Sequence, residues 1–140
     1  MPRSERVLLD SNCFVYLLDD PTSARARYLT TEVFGPAQTG RLQLYAATLT
    51  AAELLSLARE TDEARRSALS SALRALPLTW VDLDLGLAEA AASLRRLKGL
   101  TLPDAIIAAT AASLGAALLT NDRRFAKAVE RALLLDDVIS

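Results

Sequence analysis

The sequence predicts an α/β domain whose central, mostly parallel sheet of four to five strands is flanked by helices. Short aliphatic runs of strand length alternate with longer segments of helical character along the chain. Strands separated by helices favour parallel pairing, because each crossover returns the chain to the same edge of the sheet. The 140 residues contain no internal repeat and no linker, so we expect a single domain over residues 1–140.

The amino-terminal half opens with Val7–Leu9, a β-branched and aliphatic run typical of a buried strand. The helix that follows is expected to end at Asp19-Asp20-Pro21, since proline cannot continue it. A helix over residues 23–34 and a strand at 40–45 come next, and Thr50 is expected to open a helix.

In the carboxyl-terminal half, Pro77 ends one helix and Asp84 is a natural N-cap for the next. Thr101 with Pro103 in the first turn begins a further helix, which is expected to end near Gly115. The predicted strands are 7–9, 40–45, 78–81, 116–120 and 133–135. The predicted helices are 12–18, 23–34, 50–59, 62–76, 85–98, 101–115 and 122–132.

Composition removes several classes of mechanism. The chain has no histidine, which excludes a histidine general base, a Ser-His-Asp triad and imidazole zinc sites. Its single cysteine, Cys13, excludes an intramolecular disulfide and a thiolate zinc cluster, and we expect Cys13 in the core. The net charge of −1 argues against a protein that binds along DNA non-specifically, because such proteins are strongly basic. The charged first residues and the absence of a long apolar run predict a cytoplasmic protein that does not span a membrane.

Four carboxylates stand at predicted strand-to-helix junctions: Asp10, Glu53, Asp104 and Asp122. Each has a structural explanation as a helix cap, because Asp10 and Asp122 precede helices, and Glu53 stands three residues after Thr50, as in a capping box. Together they predict more, since the carboxyl ends of parallel strands lie along one edge, where ligands bind. We therefore expect all four carboxylates to meet in one crevice.

Such a cluster needs a counter-charge, because two like charges about 4 Å apart repel by roughly 4 kcal/mol at an effective dielectric near 20. Some carboxylates are then protonated, or a cation neutralises them. Oxygen ligands without imidazole favour Mg²⁺ or Mn²⁺, which bridge carboxylates to substrate phosphates. The chemistry that such an ion supports is phosphoester hydrolysis.

Three segments in this order, "VLLDSNCFVYLL", "TAAELLSLA" and "LTLPDAIIAATAASLGAALLTNDRRF", resemble the PIN-domain ribonucleases, and most closely the VapC-type toxins of toxin–antitoxin modules. The resemblance runs from Val7 to about Phe125. The family's Asp-Thr-Asn pattern stands here as Asp10-Ser11-Asn12, and its last motif as Thr120-Asn121-Asp122.

The resemblance implies a Rossmann-like PIN domain and a ribonuclease that depends on Mg²⁺ or Mn²⁺. It makes Asp10 and Asp104 the direct metal ligands, with Glu53 and Asp122 acting directly or through water. The residues that would orient carboxylates, water or substrate are Ser11, Asn12, Thr120 and Asn121. Some relatives carry an additional acid where this chain has Asn121, so we expect one firmly held ion and a second recruited by RNA. The partners implied are an RNA substrate, a cognate antitoxin and a second copy in a homodimer.

Three alternatives remain open at the level of sequence. A PIN nuclease of this kind can serve RNA processing or maintenance without a toxin role. A haloacid-dehalogenase-like phosphatase would use Asp10 as a covalent nucleophile, although such enzymes usually carry a second aspartate where this chain has Asn12. In a non-catalytic PIN-like module, the four acids would only cap helices.

Overall fold

A computed structural model describes residues 5–57 and 62–140 of the chain. The strands are β1 Glu5–Leu9, β2 Leu42–Ala47, β3 Thr79–Val81, β4 Ala117–Thr120 and β5 Ala132–Leu134. The α-helices are α1 Ser11–Asp19, α2 Ala24–Tyr28, α3 Gly35–Gln38, α4 Thr48–Leu57, α5 Glu63–Ala75, α6 Leu85–Lys98, α7 Leu102–Leu114, α8 Arg123–Ala128 and α9 Leu135–Ile139. A π-helical segment, Leu29–Phe34, joins α2 to α3.

The five strands form one sheet in the order β3-β2-β1-β4-β5, and every neighbouring pair is parallel. Val7 lies opposite Leu44 on one side of β1 and opposite Ala117 on the other. The strand order reverses direction between β1 and β4, which makes their carboxyl ends the switch point where α/β proteins bind ligands. The predicted α/β class is confirmed, and the sheet, predicted to be mostly parallel with four to five strands, has five strands that are all parallel.

Strand β1 divides the core between the two faces of the sheet, because successive side chains point to opposite sides. Val7 and Leu9 join a cluster with Phe14 and Leu54, on the face covered by α1 and α4. Leu8 joins a second cluster with α7 and α8. Cys13 is fully buried in the first cluster, as expected, and burial raises the pKa of its thiol.

The structure corrects several predicted boundaries. The helix expected over 122–132 ends at Ala128, because Val129 is extended and residues 132–134 pair with β4. The helix expected over 23–34 continues through the π-helical segment into α3. Helix α9 was not predicted. The predicted helix over 50–59 begins two residues earlier, at Thr48, and its last two residues lie outside the described part of the chain.

The remaining junctions follow their sequence signals. The Asp84 side chain caps α6 by accepting a hydrogen bond from Leu87 N at 2.8 Å. Gly99 and Gly115 end α6 and α7 with φ of 65° and 61°, a conformation that favours glycine. Within the described ranges, no single helix is long and apolar enough to cross a membrane, and α6 with α7 meets that test only as a pair bent by 116°.

Candidate active site

Asp10 follows β1 directly and caps α1, so a buried strand delivers its carboxylate to the switch point. Only 7% of the residue is exposed. Its Oδ1 accepts a hydrogen bond from Ser11 N at 2.8 Å, and its Oδ2 accepts from Thr120 Oγ1 at 2.8 Å. The cap was one interpretation of Asp10, and the structure shows the cap together with a bond to the neighbouring strand.

The Thr120 hydroxyl links three parts of this site. Thr120 ends β4 and is fully buried. Besides donating to Asp10, its Oγ1 accepts hydrogen bonds from Asn12 Nδ2 at 3.2 Å and from Asp122 N at 3.1 Å. One side chain therefore holds the carboxylate after β1 and the backbone after β4 in a fixed relation.

Asn12 makes further hydrogen bonds to the residues that follow β1 and β4. Its Nδ2 also donates to Asp10 Oδ2 at 3.3 Å, and its Oδ1 accepts from Asn121 N at 3.2 Å. Ser11 contributes its backbone N–H, and its hydroxyl also helps to stabilise ionised Asp10. Ser11, Asn12 and Thr120 thus contact the Asp10 carboxylate, whereas their role in orienting water or substrate stays a prediction from the family resemblance.

Of the other three acids, Asp104 and Asp122 stand at the starts of helices, and Glu53 lies within one. Asp104 lies in the first turn of α7, where Thr101 Oγ1 accepts from its N–H at 3.3 Å. Asp122 caps α8, accepting from Arg124 N and Phe125 N at 3.0 and 3.1 Å. Glu53 lies inside α4, which begins at Thr48, so the capping-box interpretation of Thr50 and Glu53 is wrong.

The four carboxylates act on one another electrostatically. Burial raises the pKa of Asp10, and the charge of Asp122 adds to this, while hydrogen bonds from Thr120 and Ser11 oppose it. Burial also raises the pKa of Glu53, with further repulsion from Asp10 and Asp104. The pKa of Asp104 is raised by burial and by the charges of Asp10 and Asp122, against a hydrogen bond from Thr101. This repulsion links Asp10 with Asp122, Glu53 with Asp10 and Asp104, and Asp104 with Asp10 and Asp122.

The donor set suits a hard divalent cation that keeps part of its water shell. Within residues 5–57 and 62–140, no three acids, cysteines or histidines lie close enough together to hold an ion by themselves. Mg²⁺ is commonly bound through one or two carboxylates with water completing its octahedron, so a compact three-acid cage is not required. A fully buried hydroxyl without a partner, on Thr50, adds an unused oxygen on the same helix as Glu53.

Asn121 makes contacts that the sequence did not indicate. Its Nδ2 donates to Tyr16 Oη at 2.9 Å, and its Oδ1 accepts from Asp136 N at 3.0 Å, which fastens α9 beside the site. Asp136 accepts two hydrogen bonds from Arg25, both at 2.7 Å, and these bonds hold the pKa of Asp136 below its usual value. The Arg25 guanidinium also lies 4.6 Å from the centre of the Tyr16 ring.

Of these added residues, only Tyr16 carried a sequence signal. It stands four positions after Asn12 and therefore shares that face of α1. Arg25 and Asp136 are 111 residues apart, and no local pattern pairs them. Arg123 is likewise paired, with its Nη2 lying 3.2 Å from Asp137 Oδ1.

A doubly wound parallel sheet with the buried Asp10 carboxylate at its switch point, and further acids that repel it, defines an α/β protein with an acidic site. The family model of the PIN domain matches residues 7–130. The chain belongs to the PIN-domain family, which is a family of nucleases. This membership decides against the dehalogenase-like alternative.

Solved structures share the fold at low sequence identity. A toxin–antitoxin complex from Klebsiella pneumoniae is 20% identical, with a TM-score of 0.70 over 92% of this chain and 97% of that one. DNA-bound VapBC from Salmonella typhimurium is 17% identical, with a TM-score of 0.74 over 94% and 98%. FitAcB from Neisseria gonorrhoeae is 24% identical, with a TM-score of 0.69 over 91% and 96%. A search of curated protein sequences gives no significant match.

Proposed function

We propose that the protein is an endoribonuclease that depends on Mg²⁺ or Mn²⁺ and serves as the VapC-type toxin of a toxin–antitoxin pair. The observation that carries the proposal is the buried Asp10 carboxylate at the switch point, held by Ser11 and Thr120, together with the repulsion that links it to the other acids. A fold that keeps four carboxylates in one electrostatic neighbourhood at neutral pH is stabilised by a cation there.

Asp10 and Asp104 are the proposed direct ligands, with Glu53 and Asp122 binding directly or through water. Ser11 N, Asn12 Nδ2 and Thr120 Oγ1 donate to the Asp10 carboxylate, which has about four lone-pair sites, and an ion would take the remaining site in place of the Ser11 hydroxyl. Ser11, Asn12 and Thr120 would fix the direction of that free site. A bound Mg²⁺ or Mn²⁺ would supply activation of water and stabilisation of charge on the scissile phosphate.

The proposed substrate is single-stranded or looped RNA, whose splayed backbone can enter a narrow acidic crevice. Arg123 and Arg124 directly follow Asp122 and are the proposed arginines that hold that backbone at the rim. Arg123 is paired with Asp137 across an exposed contact, whereas Arg124 is exposed one position further along α8. Arg124 is therefore the stronger candidate for a phosphate contact at the rim.

The toxin role rests on the neighbours that are toxin–antitoxin complexes. An antitoxin segment is proposed to lie against the helices over 23–34 and 50–76, of which residues 58–61 are outside the described part of the chain. Leu18 and Leu57 are 48% and 71% exposed at the ends of α1 and α4, which pack together. Apolar side chains of this kind suit an amphipathic partner, and a homodimer is the proposed assembly.

Cleavage of a structured RNA by the purified chain tests the nuclease proposal. We expect cleavage with Mg²⁺ or Mn²⁺, none with chelator, and a loss of at least about 100-fold for Asp104→Asn, because mutating such groups removes transition-state stabilisation. Asp82→Asn is the matched control, since Asp82 is exposed just after β3 and does not act on the other acids. Equal cleavage with chelator or by Asp104→Asn contradicts the metal mechanism.

Expression in a bacterial host separates a toxin from an RNA-maintenance nuclease. We expect the wild-type chain to arrest growth and Asp104→Asn to be tolerated at the same protein level. A small upstream reading frame with a DNA-binding amino-terminal half, whose product restores growth, would support the toxin role. Robust RNA cleavage in vitro without growth arrest would favour the maintenance alternative.

A further inference from the structure

The Asn121 side chain is fixed in one orientation by a backbone group. Its Oδ1 accepts a hydrogen bond from Asp136 N at 3.0 Å, and a backbone N–H can only donate, so Oδ1 must face Asp136. The amide nitrogen then faces Tyr16 and donates to its Oη at 2.9 Å. The Tyr16 oxygen is therefore used as an acceptor, and the single hydrogen of the hydroxyl is left for another acceptor. Among the residues that the structure describes, none accepts that hydrogen.

Arg25 has unused donors beside the same ring. A guanidinium carries five N–H groups, and Nε and Nη2 each donate one to Asp136. The end formed by Nη1 and the second hydrogen of Nη2 has no acceptor in the described part of the chain. The Arg25 side chain is 42% exposed and Tyr16 is half-buried, so both side chains have surface that faces solvent.

These donors lie close together and are connected to the acidic site. Arg25 Cζ is 4.6 Å from the centre of the Tyr16 ring. Covalent geometry puts a tyrosine hydroxyl about 3 Å from its ring centre, so the guanidinium and the hydroxyl can bind oxygens of one phosphate group. Asn121, which contacts Tyr16, also donates its N–H to Asn12 Oδ1 at 3.2 Å. Asn12 in turn donates to the Asp10 carboxylate, so three successive hydrogen bonds join Tyr16 to Asp10.

We propose that the Tyr16 hydroxyl and the free end of the Arg25 guanidinium bind a backbone phosphate of the RNA next to the one that is cleaved. The inference rests on the proposed function. Phosphate oxygens accept the hydrogen bonds that both groups offer, and a guanidinium can bind two of these oxygens at once. The acids around Asp10 repel an RNA backbone, so donors and positive charge beside them are needed to hold it.

Asp136 has two opposing effects on this contact. Its two hydrogen bonds hold the guanidinium in place before RNA arrives, which lowers the entropy cost of binding. Its negative charge offsets part of the charge of Arg25, which weakens the attraction for phosphate. We therefore expect a contact that positions the RNA backbone and contributes moderately to affinity.

Steady-state cleavage of a single-stranded RNA that the wild type cuts, in the presence of Mg²⁺, tests the inference through KM. Tyr16→Phe removes the hydroxyl and keeps the ring, and Arg25→Gln removes the guanidinium. Arg27→Gln is the matched control, since Arg27 is exposed on the same helix. We expect Tyr16→Phe and Arg25→Gln each to raise KM about 10-fold while kcat stays within about twofold, because contacts made equally in the ground state and the transition state affect KM alone. Arg27→Gln should keep the wild-type KM.

Asp136→Asn separates phosphate binding from a purely structural role of the ion pair. It weakens the same contact between Arg25 and Asp136 as Arg25→Gln does, but it leaves every proposed phosphate donor in place. If the pair only fastens α9, both variants should raise KM to a similar extent. If Arg25 binds phosphate, Asp136→Asn should keep KM at or below the wild-type value, because it removes a negative charge near the RNA.

Three results overturn the inference. A wild-type KM in Tyr16→Phe or in Arg25→Gln, with or without a lower kcat, refutes the phosphate site while leaving the nuclease itself intact. An equal rise in KM for Arg25→Gln and Asp136→Asn also refutes it, and this comparison decides alone if Tyr16→Phe does not fold. If the wild type cleaves no RNA with Mg²⁺ or Mn²⁺, the proposed function fails and the inference falls with it.

Discussion

The substitution Thr120→Val removes the hydroxyl that joins the two central strands at the site. It deletes the donor to the Asp10 carboxylate and the acceptor for Asn12 Nδ2 and Asp122 N. A hydrogen bond to a charged group contributes about 1.5–3 kcal/mol and a neutral one about 0.5–1.5 kcal/mol. Water can replace part of the bond to Asp122, which is exposed. We therefore expect the free energy of unfolding to fall by roughly 3–4 kcal/mol at neutral pH.

Urea unfolding of the metal-free chain at pH 7 measures this loss, and Thr110→Val is the matched control. Thr110 is also buried but makes one neutral bond, to Ile106 O, so its replacement should cost about 1 kcal/mol. Thr120→Ser keeps the hydroxyl and is expected to retain most of the stability.

The pH dependence of the loss distinguishes the carboxylate bond from general packing. The Thr120 hydroxyl favours ionised Asp10, so its removal raises the Asp10 pKa further above its ordinary value of 3.8. The loss in free energy of unfolding is then complete at a pH above the folded-state pKa of Asp10. It shrinks as the pH falls below that pKa, because Asp10 is then protonated in both the wild type and the variant. Equal losses for Thr120→Val and Thr110→Val at pH 7, or a loss independent of pH, would refute the reasoning.

Two further predictions concern charge around the site. The pKa of Asp104 is raised in the folded state, chiefly by burial and then by Asp10 and Asp122, so its ionised form destabilises the metal-free protein. Asp104→Asn should therefore raise the metal-free Tm at pH 7, and this increase should vanish as the pH falls towards the pKa of Asp104 in the unfolded state. By contrast, Mg²⁺ at 100 times its Kd should stabilise the wild type alone, by about 2.7 kcal/mol. If metal-free Asp104→Asn is no more stable than the metal-free wild type at pH 7, ionised Asp104 does not destabilise the fold and the reasoning is contradicted. Arg25→Ala should speed amide hydrogen exchange in α9, because Arg25 holds Asp136 through two hydrogen bonds. If α9 exchanges at the same rate in Arg25→Ala as in the Arg27→Ala control, this pair does not fasten the helix.

The sequence predicted the strands and helices next to which the four acids stand, because strand and helix signals are local. The aliphatic run before Asp10 and the run before Thr120 identify two strands, and parallel strands bring their carboxyl ends to one edge. The same local signals failed where tertiary contacts outweighed propensity. The helix predicted through residue 132 gave way to β5, because backbone pairing with β4 stabilises an extended chain there.

By itself, therefore, the sequence determined the α/β class and the five strands, while the meeting of Asp10, Glu53, Asp104 and Asp122 at one site stays a prediction. Tertiary structure alone decided how the site is supported: Thr120 bonds a carboxylate 110 residues away, and Asn121 bonds Tyr16 across 105 residues. It also left the Thr50 hydroxyl unpaired, which a pattern of residue types cannot show. Capping and periodicity act over a few neighbouring residues, whereas the pairing of distant donors and acceptors depends on strand register and on how the helices pack against the sheet.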